Sequence, residues 1–397
     1  MAYDDSMMDL VSLLFALLRE MVCGETADAF STDRMTVELA DGLYALSEKH
    51  DLAHIVGSAL FRHDVLVECE AAAKFRRAVD QAMSRYLRMK FEYGRICSIL
   101  EELRIPYIPL KGAILRDFYP EPWMRTSCDI DILVHEESLA AAIGALTGKL
   151  GYENKGRSYH DVSLFSPSGI HLELHFDALE NGRLSPECAA VLRGIWEDAV
   201  PAADGSVQLR MSDEMFYFYH MAHMAMHLVS GGCGIRPFLD VWVLNNRIPF
   251  DPQKRNALLS QGKLLAFAQT ARQAAQVWFS GESPDALTQR LCEFVIGSGA
   301  YGTALGKAAV QQTKQGGNLR YVLANRIFMP YMAMKERYPI LKDHKYLLPA
   351  YQVLRWTELL KNGRAKSALT ELRANAKAAS ADTAEVVSLL KDIGLNG

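Results

Sequence analysis

Cysteine is scarce in this chain of 397 residues, and its seven cysteines form no CxxC pair. An odd number of scattered cysteines argues against a disulfide framework and against a zinc knuckle, and it indicates a reducing compartment. The chain also lacks the GxSxG signature of serine hydrolases and any cysteine-centred catalytic motif. Hydrolase and thiol chemistry therefore have little support.

Long apolar runs and an excess of positive charge are missing as well. No segment approaches the roughly 20 apolar residues that cross a bilayer. The apolar stretch 10–18 follows aspartates rather than a basic leader, which predicts a buried helix instead of a signal peptide. The formal charge of -4 argues against a protein that grips extended DNA mainly through its phosphates. We therefore expect a cytoplasmic protein without a membrane partner.

The composition and periodicity of the chain predict three regions that pack as one body. Residues 1–103 follow a helical period without a strand signal, and residues 212–397 are helical again, with glycine and proline breaks. Between them, residues 104–211 contain prolines, β-branched residues and alternating segments that are typical of a small sheet. The predicted fold class is α+β, with a small mixed β-sheet core flanked by all-helical regions.

Two aspartates lie one residue apart in a segment that otherwise has the composition of a buried strand, 129–134. Side chains alternate along a strand, so Asp129 and Asp131 project from one face while Ile130 and Ile132 enter the core. Two carboxylates so close repel each other unless a cation lies between them. The simplest cation is Mg²⁺, or a pair of Mg²⁺ ions that carry a phosphorylated substrate.

A third carboxylate, Glu173, lies in the second strand of a hairpin that we predict around Ser166–Gly169. Glu173 alternates with leucines, so it shares its face with His171 and with His175, a candidate substrate contact. A neighbouring strand could present Glu173 to the same ions as the two aspartates, and Glu173 could also accept a proton. Three carboxylates on adjacent strands predict a site where ions activate a hydroxyl and neutralise charge on phosphates and leaving pyrophosphate.

The order of the motifs resembles the polymerase-beta-type nucleotidyltransferase fold, and more closely a bacterial family of uncharacterised nucleotidyltransferases. The residues that carry the resemblance are Leu110-Lys111-Gly112, Arg125, Asp129–Val134, Gly151-Tyr152 and Leu172–His175. The match extends over about residues 105–240, with a weaker one in 338–349. It implies transfer of a nucleoside monophosphate from a nucleoside triphosphate, with Mg²⁺ or Mn²⁺ held by Asp129, Asp131 and Glu173 as catalytic residues.

The predicted phosphate-binding turn departs from the wider fold. Many members have a Gly-Ser pair and a shorter gap, whereas here sixteen residues separate Gly112 from Asp129. Lys111 could contact the triphosphate or pair with an acid at a strand end, and Gly112 would let the backbone approach the phosphates. Arg125 could bind a phosphate or form a salt bridge with Glu121 or Asp129.

Three histidines recur at offsets of three and four on a predicted helix, so all could face one way. They are His220, His223 and His227. The glutamate of HExxH is missing, so zinc is the weaker interpretation. We expect this helix to cover the open side of the sheet, with His223 and His227 near the substrate or simply packed. The glycine-rich turn 231–234 would bring Arg236 to a phosphate, unless Arg236 only pairs with Asp240.

The leading prediction is a nucleotidyltransferase acting on a small molecule, a protein or an RNA. A non-catalytic nucleotide- or partner-binding protein on the same fold is the first alternative, although such a protein would be expected to have lost an acid. The second alternative is the nucleotidyltransferase of a toxin–antitoxin-like system, whose partner domain carries Arg-x(4–6)-His. Arg337 and His344 have similar spacing, but Pro339 interrupts the helix between them.

Overall fold

The computed structural model describes most of the chain. The described residues are 5–25, 35–66, 68–178, 185–300, 328–329, 331, 334–335, 338–361 and 380–395. Arg337 of the predicted Arg-x(4–6)-His pair and residues 301–327 and 362–379 of the predicted C-terminal helical region lie outside them. Among the described helices, none is long and apolar enough to cross a membrane.

Helices precede and follow the sheet, as predicted. The first four are α1 Asp5–Leu18, α2 Val37–Lys49, α3 Ala53–Arg62 and α4 Glu70–Glu102. Those after the sheet are α9 Asp213–Leu228, α10 Arg236–Arg247, α11 Pro252–Gln261, α12 Leu265–Ser280, α13 Ala286–Ser298, α14 Leu348–Lys361 and α15 Ser380–Asp392. Helix α4 buries Met89, Ile96, Ile99 and Leu100. Ile96 follows Met89 by seven residues, and Ile99 and Leu100 follow Ile96 by three and four, so all lie on one face.

A five-stranded mixed sheet lies between these helices in the order β1-β2-β5-β4-β3. Its strands are β1 Tyr107–Pro109, β2 Asp129–Val134, β3 Glu153–Arg157, β4 Asp161–Phe165 and β5 His171–His175. Short helices connect and follow them: α5 Gly112–Leu115, α6 Leu139–Leu150, α7 Pro186–Arg193 and α8 Ile195–Asp198. Strands β2 and β5 are parallel, and the other neighbouring pairs are antiparallel. A two-stranded sheet, β6 Val200–Pro201 and β7 Leu209–Arg210, follows α8.

The predicted hairpin is confirmed as β4 and β5, with Gly169 at a φ of 80° in the turn. The sequence did not predict β3. All five residues of β3 are exposed and none of Glu153–Arg157 is a large apolar residue, so its sequence has no strand signal. Pairing with β4 at the edge of the sheet holds this segment in place.

The apolar core has two parts. Ile130 and Ile132 of β2, with Leu172 and Leu174 of β5, pack in one cluster with buried residues of α4 and α6. The second cluster joins the N-terminal helices to α9–α13. The predicted α+β class, a small mixed sheet flanked by helices, is confirmed. Since alternate residues of β2 and β5 fill the first cluster, their acids occupy the opposite face.

Candidate functional site

The register of two parallel strands brings the acids together. Asp131 of β2 lies opposite Glu173 of β5, and Asp129 lies opposite His171. Facing residues of neighbouring strands project on the same side of the sheet. Charged residues that are far apart in the sequence therefore form one cluster on one face of the sheet.

Two groups of side chains in the described structure could each hold a metal ion. One group is Asp131, Glu173 and His175, and the other is Asp129, His171 and Glu173. Within each group the ligand atoms lie within 4.8 Å of one another. Glu173 belongs to both. Carboxylates and imidazole are ordinary ligands of divalent cations, so the donor chemistry of both groups fits a divalent ion. We call the first group the inner group and the second the outer group.

Two positively charged side chains lie beside Asp131 in the inner group. The side chain is buried, and its Oδ1 lies 2.9 Å from His175 Nε2 and 3.3 Å from Lys111 Nζ. Burial penalises the Asp131 carboxylate, but Lys111 and His175 more than offset this and lower its pKa. Burial likewise opposes the charged form of His175, while hydrogen bonds to Asp131 and Glu173 raise its pKa to about 9. Positive charge therefore already collects where a cation would bind.

The side chains of the outer group are partly exposed to solvent, and the negative charge of its carboxylates is less well balanced by nearby positive charge than in the inner group. Burial, followed by the nearby charges of Asp131 and Glu173, raises the pKa of Asp129 to about 7. His171 Nδ1 lies 4.0 Å from Glu173 Oε1, and its other ring nitrogen, Nε2, lies 2.7 Å from Ser163 Oγ. Ser163 of β4 therefore fixes the His171 ring with Nδ1 toward the acids.

Lys111 has an unusual backbone conformation. It follows β1 and precedes α5 with a φ of 42°, where residues other than glycine are strained by about 1–3 kcal/mol. The adjacent Gly112 is tightly packed, because a Cβ there would lie 3.0 Å from the Ser127 Cβ. The strained turn holds the Lys111 ammonium at the acid cluster.

Arg125 forms a buried network with Asp240 and Tyr119. Its Nε donates to Asp240 Oδ1 at 2.7 Å, and the Tyr119 hydroxyl donates to the same oxygen at 2.7 Å. The alternative salt bridges predicted for Arg125, to Glu121 or Asp129, are wrong because Asp240 on α10 is its partner.

Arg236 likewise forms a different pair from the predicted alternative. The turn after α9 contains Gly231 and Gly232 at positive φ, and Arg236 then begins α10. Its guanidinium donates to Asp51 and to the Thr126 hydroxyl, whereas Asp240 pairs with Arg125. Arg236 thus ties α10 to the loop before β2.

A cavity of about 140 Å³ adjoins the acid cluster at Lys111. Residues from α9, α10, the turn before α5 and the loop before β2 line it, among them Lys111, Arg125, His220, His223, His227 and Arg236. The ring nitrogens Nε2 of His223 and His227 lie 3.1 Å apart. Partial burial, with Lys111 and neighbouring histidines, holds the pKa of His223 well below its ordinary value.

The structure places the predicted residues in two adjoining sets. One is the acid cluster of Asp129, Asp131, Glu173, His175 and Lys111, with Gly112 beside it; the other is the cavity wall with Arg125, Arg236, His223 and His227. Sequence reasoning missed the roles of His171 and Ser163. The alternation of residues 171–175 already put His171 on the Glu173 face, but Ser163 required the β4–β5 register.

Without divalent ions, the stabilisation that the acid cluster provides is expected to fall as pH rises from about 6.5 to about 9. The stabilisation from His175 is present below its ordinary pKa of 6.5 and is lost through about 9. The stabilisation from Asp129, whose carboxyl has an ordinary pKa of 3.8, is lost as pH rises through about 7. A bound ion takes the place of these protons, so the rise in melting temperature on adding Mn²⁺ should grow over the same range. Thermal unfolding with and without Mn²⁺ measures both trends, and a metal effect that shrinks with pH would contradict the assignment.

Comparison with known families supplies the context for this site. The model of a family described as an uncharacterised nucleotidyltransferase matches residues 38–280. This segment extends from α2 to the end of α12 and includes the sheet, the acid cluster and the helices that line the cavity. Comparisons with curated proteins and with solved structures give no match. Since the matched segment is more than half of the sequence, the chain belongs to this family of uncharacterised nucleotidyltransferases.

Proposed function

We propose that the protein is a metal-dependent nucleotidyltransferase that moves a nucleoside monophosphate from a nucleoside triphosphate to an acceptor hydroxyl. The observation that carries the proposal is the alignment of Asp131 with Glu173 across parallel strands, with Asp129 two residues before Asp131 on the same face of the sheet. Family membership gives the class of reaction, and the three converging carboxylates supply the ligands that such a reaction needs.

In the proposed reaction, the acceptor oxygen bonds to the α-phosphorus and the bond to the bridging oxygen breaks, so pyrophosphate leaves with the electron pair. Divalent ions, Mg²⁺ or Mn²⁺, would neutralise phosphate charge and lower the pKa of the attacking hydroxyl. Asp129, Asp131 and Glu173 would hold them. The hydroxyl proton would pass to solvent or to Glu173, whose side chain is 24% exposed.

Lys111 is proposed to contact the triphosphate. Its ammonium already lies 3.3 Å from Asp131 and it also lines the cavity, so it connects the acid cluster with the space under α9. Phosphates near Lys111 would leave the rest of a substrate directed toward His223 and His227. Arg125 and Arg236, each paired with an aspartate, would shape the cavity wall and contribute positive potential to it.

A labelling assay tests the proposal directly. The protein is incubated with each of the four α-phosphate-labelled ribonucleoside triphosphates, Mg²⁺ or Mn²⁺, and cell extract. A labelled macromolecular or small product, together with pyrophosphate, is expected for at least one nucleotide. Binding of a triphosphate without any product in extract would favour a non-catalytic binding protein, and failure to bind any triphosphate would overturn the proposed function.

Replacement of Lys111 by methionine is expected to raise the KM for the triphosphate about tenfold or more, because a charge-assisted contact to phosphate is lost. The methionine keeps the length of the side chain without its charge. Arginine at the same position should retain more of the affinity. Steady-state kinetics across the three proteins measures the effect, and an unchanged KM in the methionine variant would remove Lys111 from the phosphate site.

A further inference from the structure

We infer that imidazole nitrogens ligate the ions at this site and that the protein therefore selects a divalent transition ion such as Mn²⁺ over Mg²⁺. His175 would complete the inner group and His171 the outer group, with Glu173 shared between them. The inference rests on the proposed function and adds to it the identity of two ligands and the class of metal.

The inner group has the spacing of a ligand set. His175 Nε2 lies 2.9 Å from Asp131 Oδ1 and 3.5 Å from Glu173 Oε2. Ligand atoms bound about 2.1 Å from an octahedral ion lie about 3 Å from their neighbours. The ring is almost fully buried, so its direction toward the two carboxylates is fixed by packing and not by solvent. One nitrogen and two carboxylate oxygens thus already converge.

The outer group has an orienting partner of the kind that metal-binding histidines have. A histidine ligand is usually held by a hydrogen bond at its second ring nitrogen. His171 has this arrangement, since Nε2 bonds to Ser163 Oγ while Nδ1 is directed toward Glu173. Phe165 stacks on the same ring with centroids 4.5 Å apart, which further limits its rotation.

These donors differ from those that Mg²⁺ prefers. Mg²⁺ favours oxygen ligands and water, whereas imidazole favours first-row transition ions, whose affinity for mixed nitrogen and oxygen sites rises along the series from Mn²⁺. Both groups contain a nitrogen donor. A site built only for Mg²⁺ would have no use for either ring at these positions, so the histidines bias the choice of metal.

Electron paramagnetic resonance of bound Mn²⁺ tests the inference without relying on activity. Mn²⁺ is added alone, because a nucleotide would bring ring nitrogens of its own. Spin-echo modulation from ¹⁴N is expected in the unaltered protein, weaker in His171→Gln or His175→Gln and absent in the double variant. Each single variant should also weaken Mn²⁺ binding about tenfold or more while changing Mg²⁺ binding less. His135→Gln, which removes a ring stacked on Trp196 outside both groups, is the matched control.

The outcomes separate this inference from the proposed function. Bound Mn²⁺ without ¹⁴N modulation, or modulation that survives in the double variant, would overturn histidine ligation and leave the carboxylate site intact. Failure of Mn²⁺ and Mg²⁺ to bind, alone or with a triphosphate, would overturn both. If His175→Gln does not fold, His171→Gln still decides the question, because His171 is partly exposed and its loss is better tolerated.

Discussion

Replacement of Asp131 by asparagine is expected to lower nucleotide transfer by about 10²–10³-fold or more, the effect of removing one preorganised electrostatic group from an active site. The amide keeps the shape of the side chain but not its charge. Lys111 would then lie beside a neutral group, and its positive charge would oppose ion binding there. Both transfer and Mn²⁺ affinity should therefore fall in the same variant.

The control for this experiment is Asp117→Asn, which makes the same chemical change outside both ligand groups. Transfer is measured with the nucleotide found active in the labelling assay, and folding is checked by thermal unfolding. Asp117→Asn should retain normal transfer. If Asp131→Asn retains it too, Asp131 does not hold an ion during the reaction, and the assignment of the inner group fails.

The acid cluster was predictable because its signal is local and periodic. Asp129 and Asp131 interrupt an apolar strand at a spacing of two, and Glu173 does the same in a second strand, so each faces away from the core by alternation alone. The register that sets Asp131 opposite Glu173 is a property of strand pairing. The sequence suggested that the two strands are neighbours only because both present acids on the face away from the core.

The pairing of buried charges could not be predicted in the same way. Arg125 and Asp240 are separated by 115 residues and Arg236 and Asp51 by 185, and no periodic pattern links either pair. A helical offset of four made Arg236 and Asp240 look like partners. The packing of α10 against the loop before β2 decides otherwise, because Asp240 is buried beside Arg125 and Tyr119 whereas Arg236 reaches Asp51.

The sequence assigned two possible roles to Arg125, and their consequences for stability differ. Arg125→Ala is expected to lower the free energy of unfolding by about 3–5 kcal/mol, the cost of breaking a buried ion pair and leaving the other charge behind. Asp240 is fully buried, and its Oδ2 has no hydrogen-bond partner among the described residues. Without Arg125, the hydrogen bond from the Tyr119 hydroxyl would remain to Asp240 in the described part of the chain.

Urea unfolding of four variants distinguishes the two roles of Arg125. Arg290→Ala breaks an exposed pair with Asp392 and should change stability far less than Arg125→Ala. The double variant Arg125→Met with Asp240→Leu should be more stable than Arg125→Met alone, because it removes both charges from the interior. If Arg125→Met instead preserves stability and lowers only nucleotide affinity, then Arg125 binds phosphate and its contact with Asp240 is incidental. A loss of stability that Asp240→Leu relieves would establish that the pair supports the cavity wall, since both residues line it.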